Sequence, residues 1–434
     1  MKKITPVFFI TILLSITVNS QIIDINLTNE KKNGSSFSNI IYVDKNNTEG
    51  PWNGSIKNPY QNISYGIKNA NKGDIIFIFN EIYHENINID KKINLTGENK
   101  EKTIIDGSYK NYAIKITADN VKIEKLTIRN TGGYEGDSGI IIESDGNIIS
   151  DCIIKRTRTG LFFNNTDDNI IDRCTLYLNG EGIYTKKSED LYIKNCEFCH
   201  SSIGINSDHS EDIKIENCYI HEIGTGLFFN ISKNVEFLNC AICDNNDNGG
   251  GIAIYNSKDF NFDNCNIMHN GFGIKIINSH SIDIKNSDIE NITHFGMWIK
   301  ENSYDIKITD CNIINNFRHG MYIIDSKCRI EKTNLYDNLI ESVYLEKSIC
   351  IARNNWWGGI LGPIFNYGFR ITDIPRLRFG RVAYFPWSLN PYQKVGSDWK
   401  VKNIFTKTVV NGYEDEEISF EGTDSDNDGL PDWW

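Results

Sequence analysis

Residues 170–243 read IIDRCTLYLNGEGIYTKKSEDLYIKNCEFCHSSIGINSDHSEDIKIENCYIHEIGTGLFFNISKNVEFLNCAIC, and within them Cys174, Cys196, Cys218 and Cys240 recur every 22 residues. Outward from this stretch the series begins at Cys152 and runs on through Cys265, Ser287, Cys311, Thr333 and Asn354, with later steps of 25, 22, 24, 22 and 21. A sustained period of this size means one small unit stacked on copies of itself.

Each unit carries the same internal grammar. Three residues before the ladder position stand Ile149, Ile171, Ile193, Ile215, Phe237, Phe262, Ile284, Ile308, Ile330 and Ile351. Two residues after it stand Ile154, Leu176, Phe198, Ile220, Ile242, Ile267, Ile289, Ile313 and Leu335. A third apolar set follows glycine, as in Gly182-Ile183, Gly204-Ile205, Gly273-Ile274 and Gly296-Met297. Alternation within each short run marks strands with one buried face, and three runs per 22 residues leave chain only for tight turns. The expected fold is therefore all-β: a right-handed parallel β-helix with three short strands per coil. Asp190, Asp212, Asn234, Asp259 and Asp305 recur just before a strand, where their side chains can bond the turn backbone.

The cysteine column predicts thiols, not disulfides. Stacked neighbours project their Cβ atoms in parallel about 4.8 Å apart, whereas a disulfide needs converging bonds and a Cβ separation of about 3.8 Å. Replacement by Ser287 and Thr333 in the same column agrees with a buried, small, apolar file of free cysteines.

The ends differ from the middle. Residues 1–20 read as an export signal, with Lys2 and Lys3 ahead of an apolar run from Val7 to Val18 and small Ser20. Residues 21–39 read as a linker, 40–112 as an N-terminal cap with the first coils and a short helix near Ser64–Ala70, 113–360 as the regular helix, 361–396 as an irregular C-terminal cap, and 397–434 as a tail. No stretch after the signal is long enough to span a bilayer, so the expected location is secreted or at the cell surface. The net charge of −12 with dispersed Lys and Arg argues against nucleic acid as a partner.

The opening IYVD…GPWNG…NPYQNI…YHENI, the coil pattern, and the closing NNWWG…GP with YFPW resemble the NosD-like right-handed β-helix proteins, a branch of the pectate-lyase-like superfamily. That resemblance covers most of residues 40–392 and implies the fold, while the family spans sugar-acting enzymes, a copper-site maturation factor and surface proteins. The terminal DSDNDGLPDWW places Asp424, Asp426, Asp428 and Asp432 at calcium-loop spacing, and is similar to thrombospondin type 3 and dockerin-like loops. Position 12 of that loop would fall at residue 435, beyond the sequence, so calcium is the one cofactor expected and its loop is partial.

Three outward files bear on chemistry. On the glycine-preceded strand the file is Ile141, Phe162, Tyr184, Asn206, Phe228, Ala253, Lys275, Trp298, Tyr322 and Tyr344. It has no carboxylate or histidine for acid–base work, but Phe162, Tyr184, Phe228, Trp298, Tyr322 and Tyr344 suit contact with sugar rings or a partner. Three residues after the cysteine ladder, Cys199, His221, Cys243 and Met268 are soft ligands suited to Cu(I), although Cys199 and Cys243 stand two rungs, about 9.6 Å, apart. The next file, His200, Glu222, Asp244 and His269, lies at a turn and reads as solvated, and Arg318-His319-Gly320 lacks partner acids in the expected runs. The expected function is a non-catalytic exported β-helix presenting a rigid face to glycans, envelope components or protein. The alternatives are a polysaccharide lyase or glycoside hydrolase acting on acidic glycans, and a copper-related extracytoplasmic protein.

Overall fold

A computed structural model describes residues 38–245, 249–363 and 386–398, together with the backbone of 369–372 and 382–383. Residues 1–20, expected to be an export signal, nearly all of the linker, and nearly all of the tail, with Asp424, Asp426, Asp428 and Asp432, lie outside the described residues.

The architecture follows from turns that almost any sequence would resist and this one encodes. The residue just before each ladder position is left-handed: Asp151, Arg173, Asn195, Asn217, Asn239, Asn264, Asn286, Asp310, Lys332 and Asn354 have φ between 49° and 58°. Asn and Asp tolerate that region best, which is why they dominate the file. Their side chains also bond along it, Asn217 to Asn195 at 3.3 Å, Asn239 to Asn217 at 3.3 Å and Asn264 to Asn239 at 2.8 Å. The single left-handed residue bends the chain sharply and lets strands such as Leu191–Lys194 and Glu197–Cys199 sit on different walls of one coil.

A third strand, here Ile203–Asp208, closes the coil. Repetition gives three parallel sheets of 15, 12 and 13 strands, called below the first, second and third sheets, represented by these three strands in that order. The coils keep strict register, as in Ile193 on Ile215, Phe198 on Ile220 and Ile205 on Leu227. Inward side chains therefore pile into files of fully buried Ile, Leu and Phe, including Phe237 stacked on Phe262 at 4.6 Å. Each such buried side chain is worth about 1.5–3 kcal/mol. The core is one continuous column of these residues from Val43 to Trp357.

None of the eleven cysteines is joined in a disulfide, and all are buried. The ladder thiols are not merely apolar filler, however: Cys152, Cys196 and Cys311 each point Sγ at the carbonyl two residues back, at 3.2, 3.1 and 3.2 Å. Ser287 and Thr333 do the same with hydroxyls at 2.7 and 3.0 Å. Ser287 also accepts the N–H of Cys265 at 3.1 Å, so the file is a polar turn ladder in which Cys, Ser and Thr are interchangeable. Burial pushes the Cys311 thiol up to about 12.

The last rung differs from the sequence expectation by one residue. Thr333 donates its N–H to Asn355 at 2.9 Å, so Asn355 holds the ladder position and Asn354 the left-handed turn. Because strand side chains alternate, that single slip turns Ile351 outward and puts Ala352 in the core. The segment before the coils holds one short helix, Ile63–Asn69, whose Ile63 and Ile67 cap the interior. Beyond Asn355, Phe369–Thr372 pairs with Val343–Glu346 and Val382–Ala383 with Ile349–Ile351, adding strands to the third and first sheets.

Residues 386–398 then turn back over the second sheet. Tyr392 exchanges two bonds with the Asn334 side chain, at 2.9 and 3.1 Å. Val395 accepts from Asn312 at 3.2 Å, the Gly396 N–H donates to the Asp310 carbonyl at 2.8 Å, and Ser397 reaches Asn264 at 2.9 Å. Among the described residues no helix is long and apolar enough to cross a membrane.

Candidate functional site

The outer face of the third sheet carries the aromatic file. Its register is as expected: Phe162 on Tyr184, Tyr184 on Asn206, Asn206 on Phe228, Phe228 on Ala253, Lys275 on Trp298, Trp298 on Tyr322 and Tyr322 on Tyr344. Side chains stand perpendicular to a sheet, so in-register rings stack on one another. Phe162 and Tyr184 lie 5.1 Å apart at 10°, and Tyr322 and Tyr344 lie 4.5 Å apart at 13°. Where rings stack, their faces are used within the file, and edges, phenol hydroxyls and neighbouring cations face outward.

Two other outward files flank this one, and the sequence pattern alone did not single them out. Phe272 and Phe295 stand beside it, Phe272 at 5.5 Å from Trp298 and Phe295 at 4.8 Å from Tyr322. Lys275 and Lys300 hold their ammonium groups 4.8 and 4.9 Å from the Trp298 ring centre, a cation–π pair on one indole. His319, one rung after Phe295, is almost buried and pairs with Glu341 through Nδ1 at 2.8 Å, with its ring 5.2 Å from Tyr322 and 5.5 Å from Tyr344. The partner acid that Arg318-His319-Gly320 lacks within its own run therefore comes from the following coil.

At the other end of the face, the file is broken at Asn206. Tyr184 and Phe228 stand two rungs apart there, about 9.6 Å, with the short Asn206 as floor. Asn206 donates from Nδ2 to Glu181 at 3.3 Å, and burial raises the Glu181 carboxyl against the pull of Arg158. Burial also raises the Tyr184 phenol, with Asp208, Glu181 and Glu135 adding to it. Glu181 and His319 are six rungs apart, about 29 Å, so they cannot act on one substrate bond.

The soft-ligand file lies on the second sheet in the expected register, Cys199 on His221, His221 on Cys243 and Cys243 on Met268. It is not a solvent-facing row: Cys199 is fully buried and Cys243 is 6% exposed. The cause is crowding by neighbours, since Tyr177 adjoins Cys199 in the same file and Tyr219 stacks flat on His221 at 4.0 Å. Burial pushes the Cys243 thiol up to about 12. The file that begins each strand of this sheet, including Thr175, Glu197 and Tyr219, also faces out, and it sets Glu197 beside Cys199. His200 and His269 sit at the left-handed turn and pair with Glu222 at 2.9 Å and Asp244 at 3.3 Å.

Comparison with curated proteins finds no match. Among solved structures, the A-module of the Azotobacter vinelandii mannuronan C-5 epimerase AlgE6 aligns over 76% of this chain and 95% of its own, at 11% identity and TM-score 0.51. Pectate lyase Pel9A aligns over 87% and 86% at 14% identity and TM-score 0.44. The catalytic domain of a GH87 alpha-1,3-glucanase aligns over 72% and 66% at 12% identity and TM-score 0.47. At such identities the likeness is one of fold. The family described as "Right handed beta helix region" matches residues 112–250 and 204–356, more than half of the sequence, and the chain belongs to that family.

Proposed function

We propose that this chain is an exported, non-catalytic β-helix that holds a carbohydrate chain along the outer face of its third sheet. The observation that carries the reading is the slot at Asn206. Its walls are Tyr184 and Phe228, which stand on either side of Asn206 in one file, and its floor is polar, with Asn206 bonded to Glu181. Subtracting about 3.5–4 Å of contact distance from each ring leaves space between them for one saccharide ring. Aromatic walls would take its C–H faces while Asn206 and Glu181 take its hydroxyls. Further along, Trp298, Tyr322 and Tyr344 offer edges and hydroxyls, and Lys275 and Lys300 offer charge to an acidic glycan.

A glycan array read beside assays for reducing ends and unsaturated products tests this. Binding without product is expected, weakened about tenfold or more by Tyr184→Ala or Phe228→Ala, and less by Trp298→Ala with Tyr322→Ala. Unchanged binding in all of these variants would remove the reading. A second reading, a polysaccharide-cleaving enzyme, draws support from the raised Glu181 carboxyl beside the slot. It predicts product formation that Glu181→Gln abolishes.

A further inference from the structure

We propose that Glu197, Cys199 and His221 form a zinc-type metal site on the second sheet, separate from the glycan-facing third sheet and independent of its reading. A carboxylate oxygen, a thiol sulfur and an imidazole nitrogen from these three residues all lie within 4.8 Å of one another. In a tetrahedral zinc site, ligand atoms stand about 3.5 Å apart, so small side-chain adjustments bring the three onto one ion. The set mixes oxygen, nitrogen and sulfur, which suits borderline Zn2+ better than the all-soft group that Cu(I) prefers. The fold supplies the arrangement cheaply: Glu197 and Cys199 are alternate residues of one short strand, and His221 is the rung neighbour of Cys199.

Two further features favour a site over a chance ion pair. Glu197 is 4% exposed and Cys199 is fully buried, yet both project from the outer wall, where a coil has no structural need for an acid beside a thiol. His221 is fixed from both sides: Tyr219 stacks on its ring, Nε2 faces Glu197 at 3.2 Å, and Nδ1 faces the Glu222 carboxylate at 3.9 Å. The Glu222 carboxylate, which pairs with His200 at 2.9 Å, lies within ion-pair range of that second nitrogen but beyond hydrogen-bond contact. With three protein ligands, a fourth position is left for water. Binding releases the Cys199 proton, so affinity rises with pH.

Cobalt(II) added to the full metal-free chain reports the site by a thiolate-to-cobalt charge-transfer band, and zinc displaces it. One equivalent is expected to give the band, Cys199→Ser to lose it, and His221→Gln and the isosteric Glu197→Gln to weaken cobalt binding about tenfold or more. Circular dichroism on each variant separates loss of ligand from loss of fold, and cobalt affinity of the Glu197→Gln variant is decisive if Cys199→Ser unfolds. The proposal is overturned if folded Cys199→Ser keeps the band, if folded Glu197→Gln binds cobalt as the parent does, or if binding disappears only when Asp424, Asp426, Asp428 and Asp432 are changed to Asn.

Discussion

At the scale of single residues, the turn ladder is a hydrogen-bonding device disguised as a hydrophobic one. Cys218 is fully buried and directs Sγ to the Glu216 carbonyl at 3.4 Å, much as Ser287 uses its hydroxyl on Lys285. Cys218→Ser is therefore expected to shift chemical-denaturation stability by less than about 1 kcal/mol, whereas Cys218→Leu, which overfills the corner, costs about 1–3 kcal/mol. Equal losses for the two variants would mean that a hydroxyl cannot replace the thiol's bond to the Glu216 carbonyl in this column. The sequence made the column visible through its period and its Ser and Thr substitutes. Its bonding role stayed hidden because a thiol and a methyl group look alike in a pattern of apolar spacing.

At the scale of the strand, third-sheet glycines govern how closely coils approach. A Cβ placed on Gly273 would meet the Gly296 carbonyl oxygen at 2.2 Å, backbone that cannot swing aside. Gly273→Ala is expected to destabilise by about 1–3 kcal/mol, read as a lower denaturation midpoint with unchanged slope; a neutral result would show that the rungs can spread. Strand existence, facing and register were legible in residues 149–335, because each inward apolar residue repeats in every coil. The reading slipped where the repeat weakened: the NN pair at 354–355 offers two candidates for one ladder place, and only the turn conformation separates them. Candidate sites were half legible. Tyr184, Phe228, Cys199 and His221 were found as members of files, but Glu181, Glu197 and Glu341 belong to neighbouring files or coils, and their pairing arises only when adjacent coils are laid side by side.

At the scale of the whole described unit, the returning segment 386–398 covers part of the second sheet and changes its electrostatics. Burial raises the Asp288 carboxyl to about 6, against hydrogen bonds from Asn312 and the Ser397 backbone. An unfolded aspartate titrates near 4, so between about pH 4 and 6 the folded chain keeps a proton that the unfolded chain has lost. Stability contributed by this group is then present at the acid end, falls as pH rises through that window, and is level above it, with a ceiling of about 3 kcal/mol. Asp288→Asn should gain melting temperature relative to the parent as pH rises from about 4 to about 6.5. A constant difference across that range would show that Asp288 ionises normally.

That same returning segment alters how the rod comes apart. A stack whose coils touch only their neighbours opens from its ends, one rung at a time. Here the chain leaving the last coil is fastened at Asn334, at Asn312 and Asp310, and at Asn264. The terminal rung cannot peel without tension passing to anchors several coils deeper, so the end that would fray first works as a clasp and opens together with the coils it spans.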